Sequence, residues 1–104
     1  MSGSGPAYFF LFIEAMRDAA REMGLSDETA TALVYQTAVG AAELATSSEE
    51  DVAELRRKVT SPGGTTEKAL HTFEQGRLRE IVTRALKAAR NRSIELANDF
   101  GSNE

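Results

Sequence analysis

Val59-Thr60-Ser61-Pro62-Gly63-Gly64-Thr65-Thr66 sets a tight glycine turn and a run of hydroxyls directly before a helical pattern. Pro62 fixes its own φ and biases Ser61 toward an extended conformation, while Gly63 and Gly64 can take backbone angles closed to other residues. The chain can therefore turn sharply here. A helix starting near Thr65 or Thr66 leaves its first amide N–H groups unpaired, and with the helix dipole these favour a carboxylate or phosphate. The plain alternative is an interhelical loop that uses Gly, Ser, Thr and Pro only as turn and cap residues. No Gly-Lys-Ser/Thr follows for a P-loop, no Gly-x-Gly-x-x-Gly follows a strand, and no metal-ligand spacing occurs. What remains is a carboxylate or a similar anion.

On either side of this loop the pattern is helical, with no period-two alternation of the kind a strand needs. Five helices are expected. The first runs from about Pro6 to Met23, with Gly24 as its left-handed stop. Its stretch Tyr8-Phe9-Phe10-Leu11-Phe12-Ile13 is apolar all round, which suits a helix lying between two packed bodies. Ser26 caps the second helix, Asp27 and Glu28 favour its first turn, and it ends near Thr46. Its Ala38, Gly40, Ala41, Ala42 and Ala45 are small enough to admit another helix closely, which offsets the cost of about 1 kcal/mol for a helical glycine. A third, short helix begins after Ser47 or Ser48 and carries Val52, Leu55 and Val59 on one face. The fourth follows the glycine loop, presents Ala69, Leu70 and Phe73, and stops at Gly76. In the fifth, Leu78, Ile81, Val82, Ala85, Ala89, Leu96 and Phe100 recur at helical spacing, and Gly101 to Glu104 should fray. These features predict an all-α domain forming an intertwined homodimer.

Composition narrows the function classes. The 104 residues are 41% hydrophobic and 27% charged, ordinary for one soluble globular domain. A net charge of −4 argues against general affinity for nucleic acid, so Arg79, Arg84, Lys87 and Arg90 read as a solvated helix face. The absence of cysteine excludes disulfides and thiolate chemistry and is compatible with the cytoplasm. The apolar run Ala7 to Ile13 is too short to cross a bilayer, and no basic leader precedes it. Glu49, Glu50 and Asp51 diverge around a helix rather than face one another and read as helix-start charges. His71, the only histidine, lacks the partners of a general-acid or metal constellation and reads as structural.

The run Val59 to Thr66 with Ala69-Leu70-His71 resembles the signature of the pyrroline-5-carboxylate reductase family, and Ser2-Gly3-Ser4-Gly5-Pro6-Ala7-Tyr8 resembles the start of that family's carboxy-terminal domain. Leu25, Leu55 and Arg92-Ser93 fall in compatible places. One departure stands out: where the family often has a Gly-Gly-Phe-Arg turn after the signature helix, this chain has Gly76-Arg77-Leu78-Arg79.

The resemblance implies a dimerisation and substrate-binding domain over residues 6–100, preceded by a linker remnant over 1–5 and followed by a frayed tail over 101–104. It implies that loop amides around Gly63, Gly64, Thr65 and Thr66, with the Ser61 hydroxyl, hold the carboxylate of pyrroline-5-carboxylate. Thr66 then lies near the ring nitrogen as the catalytic residue, donating a hydrogen bond or relaying a proton. NADPH or NADH supplies hydride from a Rossmann domain outside these residues, so no cofactor or metal is expected on this chain and it should be inactive alone. The expected partners are a second copy, with further assembly in some members of the family, and the small-molecule substrate or proline. No nucleic acid or membrane is expected among them. A related reductase for another carboxylate, or a non-enzymatic helical dimer module, are the competing readings.

Overall fold

The computed structural model describes residues 3–102 and contains five α-helices and no strand among them. They are α1 (Gly5–Glu22), α2 (Asp27–Ser47), α3 (Val52–Lys58), α4 (Thr65–Gln75) and α5 (Leu78–Ser102). The chain divides into two compact units, Met1–Leu55 and Arg56–Glu104.

In the first unit α1 packs on α2. Pro6 sits in the opening turn of α1, where its missing N–H costs nothing. Gly24 takes φ 106° just past the other end, and its N–H reaches the Arg21 carbonyl at 3.0 Å. The chain reverses there and restarts on Ser26, whose Oγ accepts from the Thr29 N–H at 3.2 Å. Arg21 ties the corner together by pairing with Asp18 on its own helix and with Asp27 at 3.1 Å across the turn. The hydrogen bond from Arg21 is the main reason the Asp18 carboxyl is held below the usual carboxylate range.

Ala30 and Val34, one turn apart on α2, are the buried apolar side chains among the described residues. Further along the same helix Ala38, Gly40 and Ala45 are half-buried, and a Cβ placed on Gly40 would meet nothing within 4 Å. At Gly40 the small-residue face is therefore open among the described residues. The apolar belt of α1 is open as well, with Phe9 72%, Phe10 67% and Leu11 66% exposed.

In the second unit α4 packs on α5. At about 1.5 Å per residue α5 is roughly 37 Å long and α4 roughly 16 Å, so α5 outruns its neighbour. Ile94, Leu96 and Phe100, on the later half of α5, are exposed. The helix continues through Gly101 and Ser102, the first two residues of the tail expected over 101–104; Asn103 and Glu104 lie outside the described residues, as do Met1 and Ser2 of the expected linker.

The join between α4 and α5 resolves the departure at Gly76-Arg77. Gly76 caps α4 with an ordinary φ of −76°, and its N–H returns to the Thr72 carbonyl at 3.0 Å. Arg77, one residue later, carries the left-handed conformation at φ 60°. A second glycine would meet that demand without strain, whereas an L side chain there costs about 1–2 kcal/mol. The Arg77 pair with Glu80, 3.5 Å apart and exposed, returns little of this. Arg77→Gly is therefore expected to stabilise the domain by about 1 kcal/mol, read as a higher midpoint in denaturant with unchanged slope.

Candidate functional site

Local hydrogen bonding shapes the loop between α3 and α4. Helix α3 closes on itself: the Thr60 hydroxyl donates to the Arg56 carbonyl at 2.6 Å and the Thr60 N–H to Arg57 at 3.1 Å. The next four residues form a type II β-turn. The Gly64 N–H donates to the Ser61 carbonyl at 3.1 Å, with Pro62 and Gly63 at the corners and Gly63 at φ 74°. Gly64 is glycine for a different reason, since its backbone is extended (φ −87°, ψ −177°) but an added Cβ would lie 3.2 Å from the Ser61 carbonyl oxygen. Each glycine thus permits one feature of a turn that brings the chain end-on to α4.

Gly64 is the N-cap of α4 and offers no side chain to its amides, and its carbonyl accepts from the Lys68 N–H at 3.3 Å. The N–H groups of Thr65, Thr66 and Glu67 are left without an acceptor among the described residues. Three parallel donors at the positive end of an 11-residue helix make a seat for an anion.

The side chains around this seat divide between two sides of the helix. Gly63, Gly64, Glu67, Lys68 and His71 line an open concavity of about 480 Å³. With about 100° per residue, Gly64, Glu67, Lys68 and His71 share one face, whereas Thr66 projects roughly 160° away from Lys68, on the side of Leu70 and Phe73. Of the five residues singled out in the sequence, Gly63 and Gly64 line the concavity, Thr65 and Thr66 open the helix, and Ser61 lies exposed as the first residue of the turn, before its corners. The loop brings them into one short segment but does not aim the hydroxyl of Thr66 into the concavity. Glu67, Lys68 and His71 are additions. The sequence carried their signal as the i, i+1, i+4 spacing from Glu67, but their side follows only once the first helical residue is fixed. His71 is exposed on this wall, one turn beyond Lys68.

No group of three or more His, Cys, Asp or Glu residues among the described residues is arranged to hold a metal ion. No helix among them is long and apolar enough to cross a membrane.

The family described as pyrroline-5-carboxylate reductase dimerisation matches residues 1–96. A pyrroline-5-carboxylate reductase from Pseudomonas aeruginosa is 56% identical over 101 residues, which is 97% of this chain and 37% of the relative. Among solved structures, a pyrroline-5-carboxylate reductase from Coxiella burnetii superposes with a TM-score of 0.89 at 54% identity, covering 92% of this chain and 36% of that one. A pyrroline carboxylate reductase from Plasmodium falciparum, solved with NADP bound, gives 0.82 at 41% identity over 85% of this chain and 34% of its own. The chain thus spans a little over a third of the relatives it matches.

Proposed function

The chain belongs to the pyrroline-5-carboxylate reductase dimerisation family, and from that premise we propose that it is the dimerising, substrate-binding part of an enzyme that reduces 1-pyrroline-5-carboxylate to L-proline in the cytoplasm. The observation that carries the reading is the Ser61–Gly64 turn, which delivers the unpaired amides of Thr65, Thr66 and Glu67 to one point. A substrate with a carboxylate beside a cyclic imine matches that seat. Charge-assisted hydrogen bonds are worth about 1.5–3 kcal/mol each, so two or three account for most of a micromolar-to-millimolar affinity.

In this mechanism the loop amides and the Ser61 hydroxyl hold the carboxylate, and the ring lies toward the Thr66 side of α4. Thr66 donates a hydrogen bond to the imine nitrogen or relays to it a proton taken up from water as the ring carbon is reduced, its own hydroxyl being restored in the same step. NADPH or NADH supplies the hydride when bound. The described residues contain no strand-turn-helix cradle for a pyrophosphate, and Gly3-Ser4-Gly5 runs straight into Pro6 and α1, so these residues do not fit the nucleotide by themselves. The work of this chain is to place the imine and exclude alternatives to it, consistent with chemistry in which the cofactor carries the reactive step.

The second half of the proposal is the homodimer. A chain whose buried apolar side chains among the described residues are Ala30 and Val34, while Phe9, Phe10 and Leu11 stand in solvent, gains most by covering that belt with another copy. The purified 104-residue chain is expected to dimerise, to bind proline weakly and to show no pyrroline-5-carboxylate-dependent oxidation of NADPH or NADH. A reductase carrying this domain beside a nucleotide-binding domain is expected to show it. Turnover by the 104 residues alone would overturn the division of labour, and a two-domain protein inactive on this imine but active on a hydroxy acid would overturn the substrate.

A further inference from the structure

We infer that Lys68 is a specificity-determining residue for the anionic end of the substrate, acting on binding and not on the reacting ring; the inference rests on the reading of the loop as a carboxylate seat. Lys68 lines the concavity together with Gly63 and Gly64. In an α-helix the Cα–Cβ bond tilts toward the N-terminus, so a long side chain in the second turn of α4 reaches back toward the turn that carries the free amides.

Nothing within the described residues occupies its charge. Glu67 lines the same wall but forms no ion pair with it, and the Glu74 carboxylate is held by Arg79 at 3.0 Å. A cation so near the positive end of a helix opposes the macrodipole, and an exposed lysine with no ion pair repays none of that cost by packing. An anion seated on the amides of Thr65, Thr66 and Glu67 would repay it. The Lys68 cation also offsets Glu67, whose carboxylate lines the same wall and would otherwise repel that anion. Because Thr66 lies on the far side of the helix, Lys68 meets the carboxylate and not the imine. Its charge should therefore be legible in KM and silent in kcat.

The test uses a reductase carrying this domain, with pyrroline-5-carboxylate as substrate, and compares Lys68→Gln, Lys68→Arg, Ser61→Ala and Thr66→Ala at 0.1 M and 1 M salt. Lys68→Gln is expected to raise KM about three- to tenfold at the lower salt with kcat within about twofold, and Lys68→Arg to restore KM. The gap should narrow at 1 M, where the Debye length falls from about 10 Å to about 3 Å. A purely structural lysine would give neither the rescue by charge nor the salt dependence. If Lys68→Gln leaves KM unchanged at 0.1 M while Thr66→Ala cripples turnover, this inference is overturned and the proposed function stands. If Ser61→Ala and Thr66→Ala are both without effect on the kinetics, the loop is not the substrate seat and both fall.

Discussion

Phe9→Asp is expected to abolish the dimer, leaving a chain that sediments as a monomer or loses helicity at micromolar concentrations where the parent is dimeric. Phe9 is 72% exposed in one chain, so the substitution removes little that holds that chain together. In a two-fold dimer the change enters twice, once from each copy. A lone carboxylate placed in an apolar contact costs about 3–5 kcal/mol, so the pair costs roughly four to seven powers of ten in the dissociation constant. Phe12→Asp should act in the same direction. Sedimentation of parent and variants over a hundredfold range of concentration reads the outcome, and a well-folded monomeric parent at micromolar concentration would sink the dimer.

Thr66→Ala in a reductase carrying this domain is expected to lower turnover about a hundredfold or more, the usual reach of a positioned proton donor. The fold should be untouched, because Thr66 occupies the second position of α4, is exposed and caps nothing. Cofactor affinity should hardly move. Ser61→Ala should mainly raise KM, since the hydroxyl is proposed to meet the carboxylate end, while the Ser61 carbonyl that closes the turn onto Gly64 is kept. Comparing kcat with KM for the two variants separates an interaction made only in the transition state from one made equally in the bound substrate. Equal, small changes in both would mean that the turn serves only to join two helices.

Much of the architecture can be read from local chemistry. Gly24 and the Pro62-Gly63 corner act through their own backbone and Ser26 through its own hydroxyl, and the structure has a left-handed glycine, a type II turn and an N-cap at those places. Gly76 shows where that kind of reading stops. The helix stops at Gly76 as the sequence reads, yet the left-handed conformation falls one position later, on Arg77, which a stop signal alone does not locate. Helix phase hid the charged wall. Each residue turns α4 by about 100°, so the side on which Glu67, Lys68 and His71 stand, and the opposite side on which Thr66 stands, depend on α4 beginning at Thr65. The exposed belt of α1 was visible as a pattern, but a hydrophobic fraction of 41% does not say whether apolar side chains meet within one chain or between two.

The thinness of the interior has a thermodynamic consequence. With Ala30 and Val34 the buried apolar side chains among the described residues, a single copy owns little of the burial that sustains a native state, and in the proposed dimer folding and pairing become one reaction. Its melting point is then a property of the sample as much as of the sequence: each tenfold dilution lowers it, and the unfolding curve loses its symmetry as one folded particle becomes two chains. Refolding slows in the same proportion, being limited at low concentration by the rate at which two copies collide. A melting temperature for this domain carries meaning only beside the concentration at which it was taken.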